Sequence, residues 1–345
     1  MDSENVDEII DTDQHETDTF GQNTREAFHL SDFFLSCNQN LKRLKSELER
    51  FIGLIFGNPY ITPIFDEYAM FLAFASALRS ADLSRQVGAV IAKDNEILGT
   101  GVNEVPCFNG GQYWSRFDES SNEYVDVDDG RDYKKGYDSN SSEKLSIIED
   151  IIKKCKLSQF ENQSEIKTAL VESIEKSKLK EITEYGRPVH AEMEAILSCA
   201  RKGISIKGAD LYATTFPCHN CAKHIVSSGI HRVVYIEPYP KSKALELHSD
   251  SISQDSKKDT STHVIFEPFI GVGPRKFFDL FSMNLGSGRP ISRKEKTGEI
   301  LSITKRNLEL RLPLDVKSYL GREQFVCKRL HSMSEERKKN YGIKP

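Results

Sequence analysis

Two short segments of the chain contain the residues whose types and spacing could do chemistry. They read H-A-E at 190–192 and P-C-H-N-C at 217–221. A catalytic zinc site has three nitrogen or sulfur ligands from the protein and keeps its fourth position for water. His190, Cys218 and Cys221 match that set, so they are the predicted metal ligands.

The carboxylate of Glu192 is not needed as a ligand, which leaves it free to act as a base. A bound zinc ion lowers the pKa of its water from 15.7 to about 7. We therefore expect Glu192 to take a proton from that water and to deliver it to the reacting substrate. Cys218 and Cys221 lie three residues apart at the predicted start of a helix, where unpaired backbone N–H groups and the helix dipole favour thiolates.

Other interpretations of each segment exist. A lone C-x-x-C is also typical of a structural zinc site or a redox pair, and a lone H-x-E on a helix usually has no function. A structural site would require a fourth ligand. His219 and His224 are close in sequence, but we expect both on helix surfaces. The two segments together favour a catalytic site.

Composition excludes several classes of protein. The chain has 345 residues, of which 38% are hydrophobic and 29% charged, as is ordinary for a globular protein. A net charge of −5 argues against binding a polynucleotide. The longest apolar stretch, 70–78, is far shorter than the roughly 20 residues that span a bilayer, which argues against a membrane protein. Seven cysteines in a chain of this length favour thiolates in a reducing cytoplasm over a disulfide scaffold.

Periodicity predicts an α/β fold. Thr62 and Pro63 resemble the N-cap and first residue of a helix that continues to Leu78. Two apolar runs flank a turn at 93–95, which is typical of a hairpin. The remaining predicted elements are helices at 191–200 and 220–228 and strands at 210–215, 232–236 and 263–267. Both metal segments would then begin helices at one edge of a central sheet.

A long insertion, 107–185, interrupts this pattern. Its first part, Phe117–Glu143, is rich in Asp, Ser, Asn and Gly and is predicted to be a mobile loop. Helical spacing follows at 145–155 and 161–182. Long loops beside functional sites are often functional themselves. The insertion can therefore be interpreted either as a lid or specificity element or as a surface loop without a function.

The order H-x-E followed by P-C-x-x-C is the signature of zinc deaminases that act on nucleobases. The region from about 63 to 267 resembles the cytidine and deoxycytidylate deaminase superfamily, and Q-V-G at 86–88 with Asn103 resembles its deoxycytidylate branch. The resemblance implies a three-layer α/β/α sandwich around a five-stranded mixed sheet, with Zn²⁺ as cofactor. It also implies that substrate is contacted by Asn103, Gln86, Ala191, Tyr239 and Lys241, with Asn103 at the sugar.

A narrower resemblance is to bacterial anti-phage deoxycytidine nucleotide deaminases. It rests on the segments 21–25, 80–86, 237–242 and 269–275. It implies conversion of dCTP, dCMP or both to the uracil nucleotide in the cytoplasm, which depletes DNA precursors, by a homo-oligomer of six or four chains. Members typically carry an N-terminal P-loop kinase-like domain, and we expect it to be absent here.

The same resemblance suggests a domain organisation. We expect 1–30 to be an acidic linker remnant, 31–62 a helical lead-in, 63–285 the deaminase domain with its insertion, and 286–345 a C-terminal extension. One alternative function is a housekeeping dCMP deaminase that supplies dUMP for thymidylate synthesis. A polynucleotide editor is disfavoured by the acidic balance, and an inactive zinc module by the intact Glu192.

Overall fold

The computed structural model describes residues 28–37, 41–155, 162–175, 177, 179, 182, 184–255, 261–303, 309–311, 320–321, 323–324 and 326–331. The shared segment 21–25 and almost all of the expected linker remnant lie outside these residues. The chain divides into two compact units, one formed by 1–36 with 63–275 and the other by 37–62 with 276–345. The domain boundaries expected from sequence remain predictions.

The helices lie before, within and after the insertion. In chain order they are α1 (Leu41–Ile55), α2 (Phe65–Ala77), α3 (Asp132–Lys135), α4 (Ser139–Lys154), α5 (Gln163–Glu175), α6 (Ala191–Arg201), α7 (His219–Ser227), α8 (Ala244–Leu247) and α9 (Phe277–Phe281). In the described part of the chain, none of these helices is long and apolar enough to cross a membrane.

The strands form one large sheet and two small ones. In chain order they are β1 (Phe33–Phe34), β2 (Gly88–Lys93), β3 (Glu96–Val102), β4 (Arg116–Asp118), β5 (Glu123–Val125), β6 (Asp210–Thr215), β7 (Arg232–Glu237), β8 (Ile252–Ser253), β9 (Val264–Pro268) and β10 (Gly271–Val272). The large sheet has the order β3-β2-β6-β7-β9-β8. Pairings among β3, β2 and β6 are antiparallel and the others are parallel, so the sheet is mixed.

The central strands alternate between two apolar cores because successive side chains in a strand point to opposite faces. On β6, Leu211 and Ala213 pack in the core that contains α6 and α7, whereas Tyr212 packs in the core that contains α2. Helices therefore cover both faces, which confirms the three-layer α/β/α class. The sheet has six strands rather than the five expected, because the two-residue β8 adds an edge strand.

Helix α6 lies unusually close to β3. A Cβ at Gly101 would lie 2.0 Å from the carbonyl oxygen of Ala191 and 2.4 Å from the nitrogen of Ala195, so only glycine permits this approach. The contact fixes the first turn of α6, which begins directly after His190.

The start of α2 differs from the prediction. Its N-cap is Ile64 and its first residue is Phe65, so Thr62 and Pro63 precede the helix. The reason is that the Glu67 carboxylate binds two backbone groups. Its Oε2 accepts the N–H of Ile64 at 2.9 Å, and its Oε1 accepts the N–H of Val272, which is distant in sequence, at 2.9 Å. The buried Glu67 thus sets the helix start.

The segment Phe117–Glu143, expected to be a mobile loop, contains regular elements, so the expectation of a continuous loop is wrong. Strands β4 and β5 pair as a hairpin in which the Phe117 and Tyr124 rings meet edge to face, and α3 follows. Helix α4 then begins earlier than predicted because Asp138 caps it, accepting the backbone N–H groups of Asn140 and Ser141 at 3.1 Å each. Strands β4 and β5 have three residues each and α3 has four, which is too short for apolar periodicity to indicate them.

Candidate active site

One edge of the large sheet collects the predicted site residues. Strands β6 and β7 are parallel and both end at this edge, β3 also ends there, and β2 begins there. Segment 217–221 follows β6, and Tyr239 and Lys241 follow β7. Asn103 follows β3, and His190 enters beside it because Glu104 and Val189 form a backbone bridge. The topology therefore brings together segments more than 100 residues apart in sequence.

Both metal segments begin helices, as predicted. His190 is the N-cap of α6 and Cys218 the N-cap of α7. Nδ1 of His190 lies 3.3 Å from Sγ of Cys218 and 3.3 Å from Sγ of Cys221. The three ligand atoms lie within 4.8 Å of one another, and they are the only such group among the described residues. This donor set and spacing fit a zinc ion with an open fourth position.

The electrostatics of the ligands favour metal binding. Hydrogen bonds from Cys221 and His190 lower the pKa of the Cys218 thiol to about 4 despite burial. The interaction with Cys218 raises the pKa of His190 to about 9. Burial raises the pKa of the Cys221 thiol, which disfavours its thiolate form. A bound cation favours the second thiolate and the neutral imidazole, and its binding releases protons.

Glu192 lies beside the ligands on the first turn of α6. Its Oε2 accepts a hydrogen bond from Cys221 Sγ at 3.4 Å, and its side chain is buried. Burial raises the pKa of this carboxyl, and the Cys218 thiolate adds to the shift. A carboxylate whose pKa is raised binds a proton more readily, which suits a group that must take and then release one.

A cavity of about 440 Å³ opens onto these residues, a size in the range of small-molecule sites. Of the substrate contacts expected from sequence, Asn103, Ala191, Tyr239 and Lys241 line it. Gln86 does not line the cavity: it is exposed, and its Nε2 donates to the carbonyl of Ser80 at 2.8 Å.

Asn103 has a structural role and also lines the cavity. Its Oδ1 accepts the backbone N–H of Val87 at 2.7 Å, and its Nδ2 donates to the carbonyl of Arg85 at 2.7 Å. These bonds hold the segment before β2 against the end of β3. One amide hydrogen of Asn103 has no partner in these bonds, because a carboxamide has two.

The cavity has lining residues that the sequence analysis did not assign to the site. Insertion residues Asp138, Asn140 and Glu184 contribute to its wall. His219, which was expected on a helix surface, is half-buried and also lines the cavity, whereas His224 is exposed as expected. The place of His219 in the first turn of α7 could have indicated this, but no signal in the sequence placed 138–140 near the metal ligands.

Buried charges hold the insertion to the chain just before His190. The Arg187 guanidinium donates to Asp132 Oδ1 at 2.8 Å and to the carbonyl of Gly130 at 2.8 Å. Arg131 is buried beside the carboxylates of Glu104 and Asp126, at 3.6 and 3.4 Å. The insertion is thus joined to the segment that leads into α6 and ends at His190, a predicted metal ligand.

Replacing Arg187 with lysine is expected to destabilise the protein by about 2 kcal/mol. One ammonium cannot reproduce the planar fork that reaches a carboxylate and a carbonyl together, and hydrogen bonds to charged groups contribute about 1.5–3 kcal/mol. Urea denaturation measures the change. The matched control is Lys134→Met, which removes an exposed ion pair with Asp128 and should cost under about 1 kcal/mol. Equal effects of the two changes would contradict the prediction.

Comparison with known proteins agrees with this geometry. Residues 63–237 match the family model described as cytidine and deoxycytidylate deaminase zinc-binding region. The deoxycytidylate deaminase of Enterobacteria phage T2 is 53% identical over 47 residues, which are 14% of this chain and 25% of that protein. The chain thus matches about a quarter of the length of this phage relative. The mouse deoxycytidylate deaminase is 26% identical over 219 residues, 63% of this chain and 81% of that protein.

Among solved structures, the dCMP deaminase of cyanophage S-TIM5 in complex with dCMP and dUMP matches with a TM-score of 0.33 and 18% identity, over 61% of this chain and 100% of that one. The family match extends over half of this chain and includes His190 and Cys218 with Cys221. Zinc is accordingly the cofactor of this site, and the chain belongs to the cytidine and deoxycytidylate deaminase family.

Proposed function

We propose that this chain is a zinc-dependent enzyme that hydrolytically deaminates deoxycytidine nucleotides, dCMP, dCTP or both, to the uracil nucleotides. The observation that carries the proposal is the group of His190, Cys218 and Cys221 with the buried Glu192, beside a cavity of a size suited to a small molecule.

The chain's own residues divide the chemistry between them. His190, Cys218 and Cys221 would hold the zinc ion, which supplies a water of lowered pKa as the nucleophile. Glu192 accepts the proton of that water on its carboxylate. It delivers that proton to the pyrimidine ring nitrogen as the water oxygen bonds to the carbon that bears the amine. It then takes the second proton from the new hydroxyl and delivers it to the amine, which leaves as ammonia when the C–N bond breaks. Burial of Glu192 excludes bulk water from this transfer.

The cationic side chains on the cavity wall are evidence for a phosphorylated substrate. Lys241 and Lys243 line the cavity after β7, and neither forms an ion pair within the described residues. Arg85 also lines it, 3.5 Å from Glu237 and stacked over the Tyr239 ring at 5.6 Å. Ammonium and guanidinium groups suit phosphate oxygens, so we propose that Lys241 and Arg85 bind the phosphate end and Tyr239 the nucleoside.

The experiment uses the purified full chain loaded with zinc and offered dCMP, dCDP, dCTP, cytidine, free cytosine and single-stranded DNA. Deoxycytidine nucleotides should be deaminated far faster than free cytosine, because polar groups that bind sugar and phosphate are left unpaired by the base alone. If free cytosine were turned over as fast as dCMP, Asn103 and Lys241 would not be substrate-binding residues. Activity on DNA alone would overturn the proposed substrate class.

Two biological roles fit this activity. The first is depletion of DNA precursors during phage infection, and the second is a housekeeping supply of dUMP. The mouse and phage T2 relatives are named deoxycytidylate deaminases, a name that fits either role. Bacteria that express the wild-type chain or its Glu192→Gln variant can be infected with a DNA phage while the dCTP pool and plaque number are measured. A defence role requires that only the active protein lowers both.

We also propose that the protein acts in the cytoplasm as a homo-oligomer of six or four chains. A reducing cytoplasm keeps Cys218 and Cys221 available as zinc thiolates. Light scattering after size exclusion gives the mass directly, and a mass of 39.1 kDa would mean a monomer.

A further inference from the structure

Residues 80–87, here named the 80–87 loop, lie between α2 and β2 and form one wall of the cavity. The loop carries Arg85, the side chain proposed for the phosphate end. Inside the loop, Asp82 Oδ1 accepts the backbone N–H groups of Ser84 at 2.8 Å and of Arg85 at 3.1 Å, which fixes its turn. Because the Arg85 side chain is 51% exposed, packing restrains it little, and its place at the cavity depends on the loop backbone.

Two consecutive residues after β3, Asn103 and Glu104, hold the 80–87 loop. Asn103 binds the later part of the loop through its carboxamide. At the beginning of the loop, Ser80 Oγ donates to the carbonyl of Asn103 at 2.7 Å, and the backbone N–H of Ala81 donates to Glu104 Oε2 at 2.9 Å. Oε1 of Glu104 accepts the backbone N–H of Val105 at 2.8 Å. Both oxygens of this carboxylate are therefore used as acceptors, and its side chain is buried.

The charge that balances Glu104 comes from the insertion. Nε of the buried Arg131 lies 3.6 Å from Glu104 Oε2 and 3.4 Å from Asp126 Oδ2. Its Nη2 donates to the carbonyl of Tyr113 at 2.8 Å, and the same carbonyl accepts from Nη2 of Arg79, directly before the loop, at 3.2 Å. Removing one partner of a buried ion pair leaves an uncompensated charge, which is strongly destabilising. Arg131 therefore stabilises the charged carboxylate that accepts from the loop.

We propose that Glu104 and Arg131 are positioning residues for substrate binding, which hold the 80–87 loop so that Arg85 meets the phosphate of the nucleotide. The inference rests on the proposed function. Neither residue lines the cavity, so the part of the insertion around Arg131 acts on phosphate recognition through the loop rather than by contact with the substrate. A phosphate contact is present in the bound substrate as well as in the transition state, so its loss raises KM and leaves kcat unchanged.

The test compares Arg131→Met with Arg131→Lys, two side chains of similar length that differ in charge. The substrate is whichever of dCMP and dCTP the wild type deaminates faster. Arg131→Met should raise KM by about tenfold, the effect of one hydrogen bond to a charged group, with kcat within about twofold of the wild type. Arg131→Lys should raise KM less, because its ammonium keeps the charge beside Glu104 but not the fork that also reaches Tyr113.

The variant Arg85→Gln shows whether the effect passes through Arg85. It should raise KM by about tenfold or more, and adding Arg131→Met to it should raise KM no further, because residues that act through one contact are not additive. The matched control is Glu194→Gln, which breaks the ion pair of another buried carboxylate, with Arg201, and should leave KM at the wild-type value. A fall in kcat or a loss of zinc in Arg131→Met, or additive effects in the double variant, would overturn the inference.

The outcomes separate this inference from the proposed function. If Arg85→Gln raises KM and Arg131→Met does not, the inference fails and the proposed function stands. If Arg85→Gln leaves KM unchanged, the proposed phosphate contact fails and the inference fails with it. Both also fail if the wild type deaminates neither nucleotide. Circular dichroism shows whether each variant is folded. Should Arg131→Met not fold, a wild-type KM in Arg131→Lys would still overturn the inference.

Discussion

Replacing Glu192 with glutamine is expected to abolish deamination while the protein stays folded and keeps its zinc. The glutamine amide has the shape of the carboxylate but cannot take a proton, and a positioned acid or base contributes ~10²–10⁴-fold. The fall should appear in kcat for dCMP, because proton transfer belongs to the transition state rather than to binding. Zinc content should remain one equivalent, since Glu192 is not a ligand.

The matched control is Glu194→Gln on the same helix. Glu194 is also buried, but it does not line the cavity and it pairs with Arg201 at 2.5 Å. This change should lower thermal stability and leave kcat near that of the wild type. A Glu192→Gln protein with wild-type kcat would remove Glu192 from the mechanism, and an equal loss in both variants would indicate damage to α6 rather than loss of the proton acceptor.

Replacing Cys218 with alanine is expected to remove both zinc and activity. The variant leaves two protein ligands where a catalytic site needs three, and it removes the thiol that most readily becomes a thiolate. Without the metal the attacking water reverts toward a pKa of 15.7, so turnover should fall by at least ~10²-fold. Metal analysis of the purified variant should give well under one equivalent of zinc.

Cys199→Ala is the control for loss of a buried thiol. Cys199 is buried in the later half of α6 and is not part of the ligand group. Its replacement should cost on the order of 1 kcal/mol of stability through lost packing and should retain a full equivalent of zinc. A full equivalent in Cys218→Ala as well would mean that the metal site lies elsewhere in the chain.

The strands of the large sheet and the helices that carry the metal ligands were accessible to sequence reasoning because they are apolar and periodic. Strand β6 has the predicted bounds, α6 ends one residue later than predicted, and α7 begins and ends one residue earlier than predicted. The start of α2 was not accessible, because it depends on Glu67, which accepts from Val272 about 200 residues later. The hairpin β4–β5 was missed because its strands have three residues each, too few to show an alternating apolar pattern.

The sequence alone predicted the α/β class, and it also predicted the zinc ligands and the carboxylate that is not a ligand, because these residue types lie at close spacing in two helix starts. Only the tertiary structure decided what surrounds them. It placed Gln86 outside the cavity, used Asn103 to hold the segment before β2, and brought Asn140 and His219 into the wall. The positions of these residues depend on which segments meet at one edge of the sheet and on polar contacts between residues far apart in sequence. Spacing along the chain does not encode either.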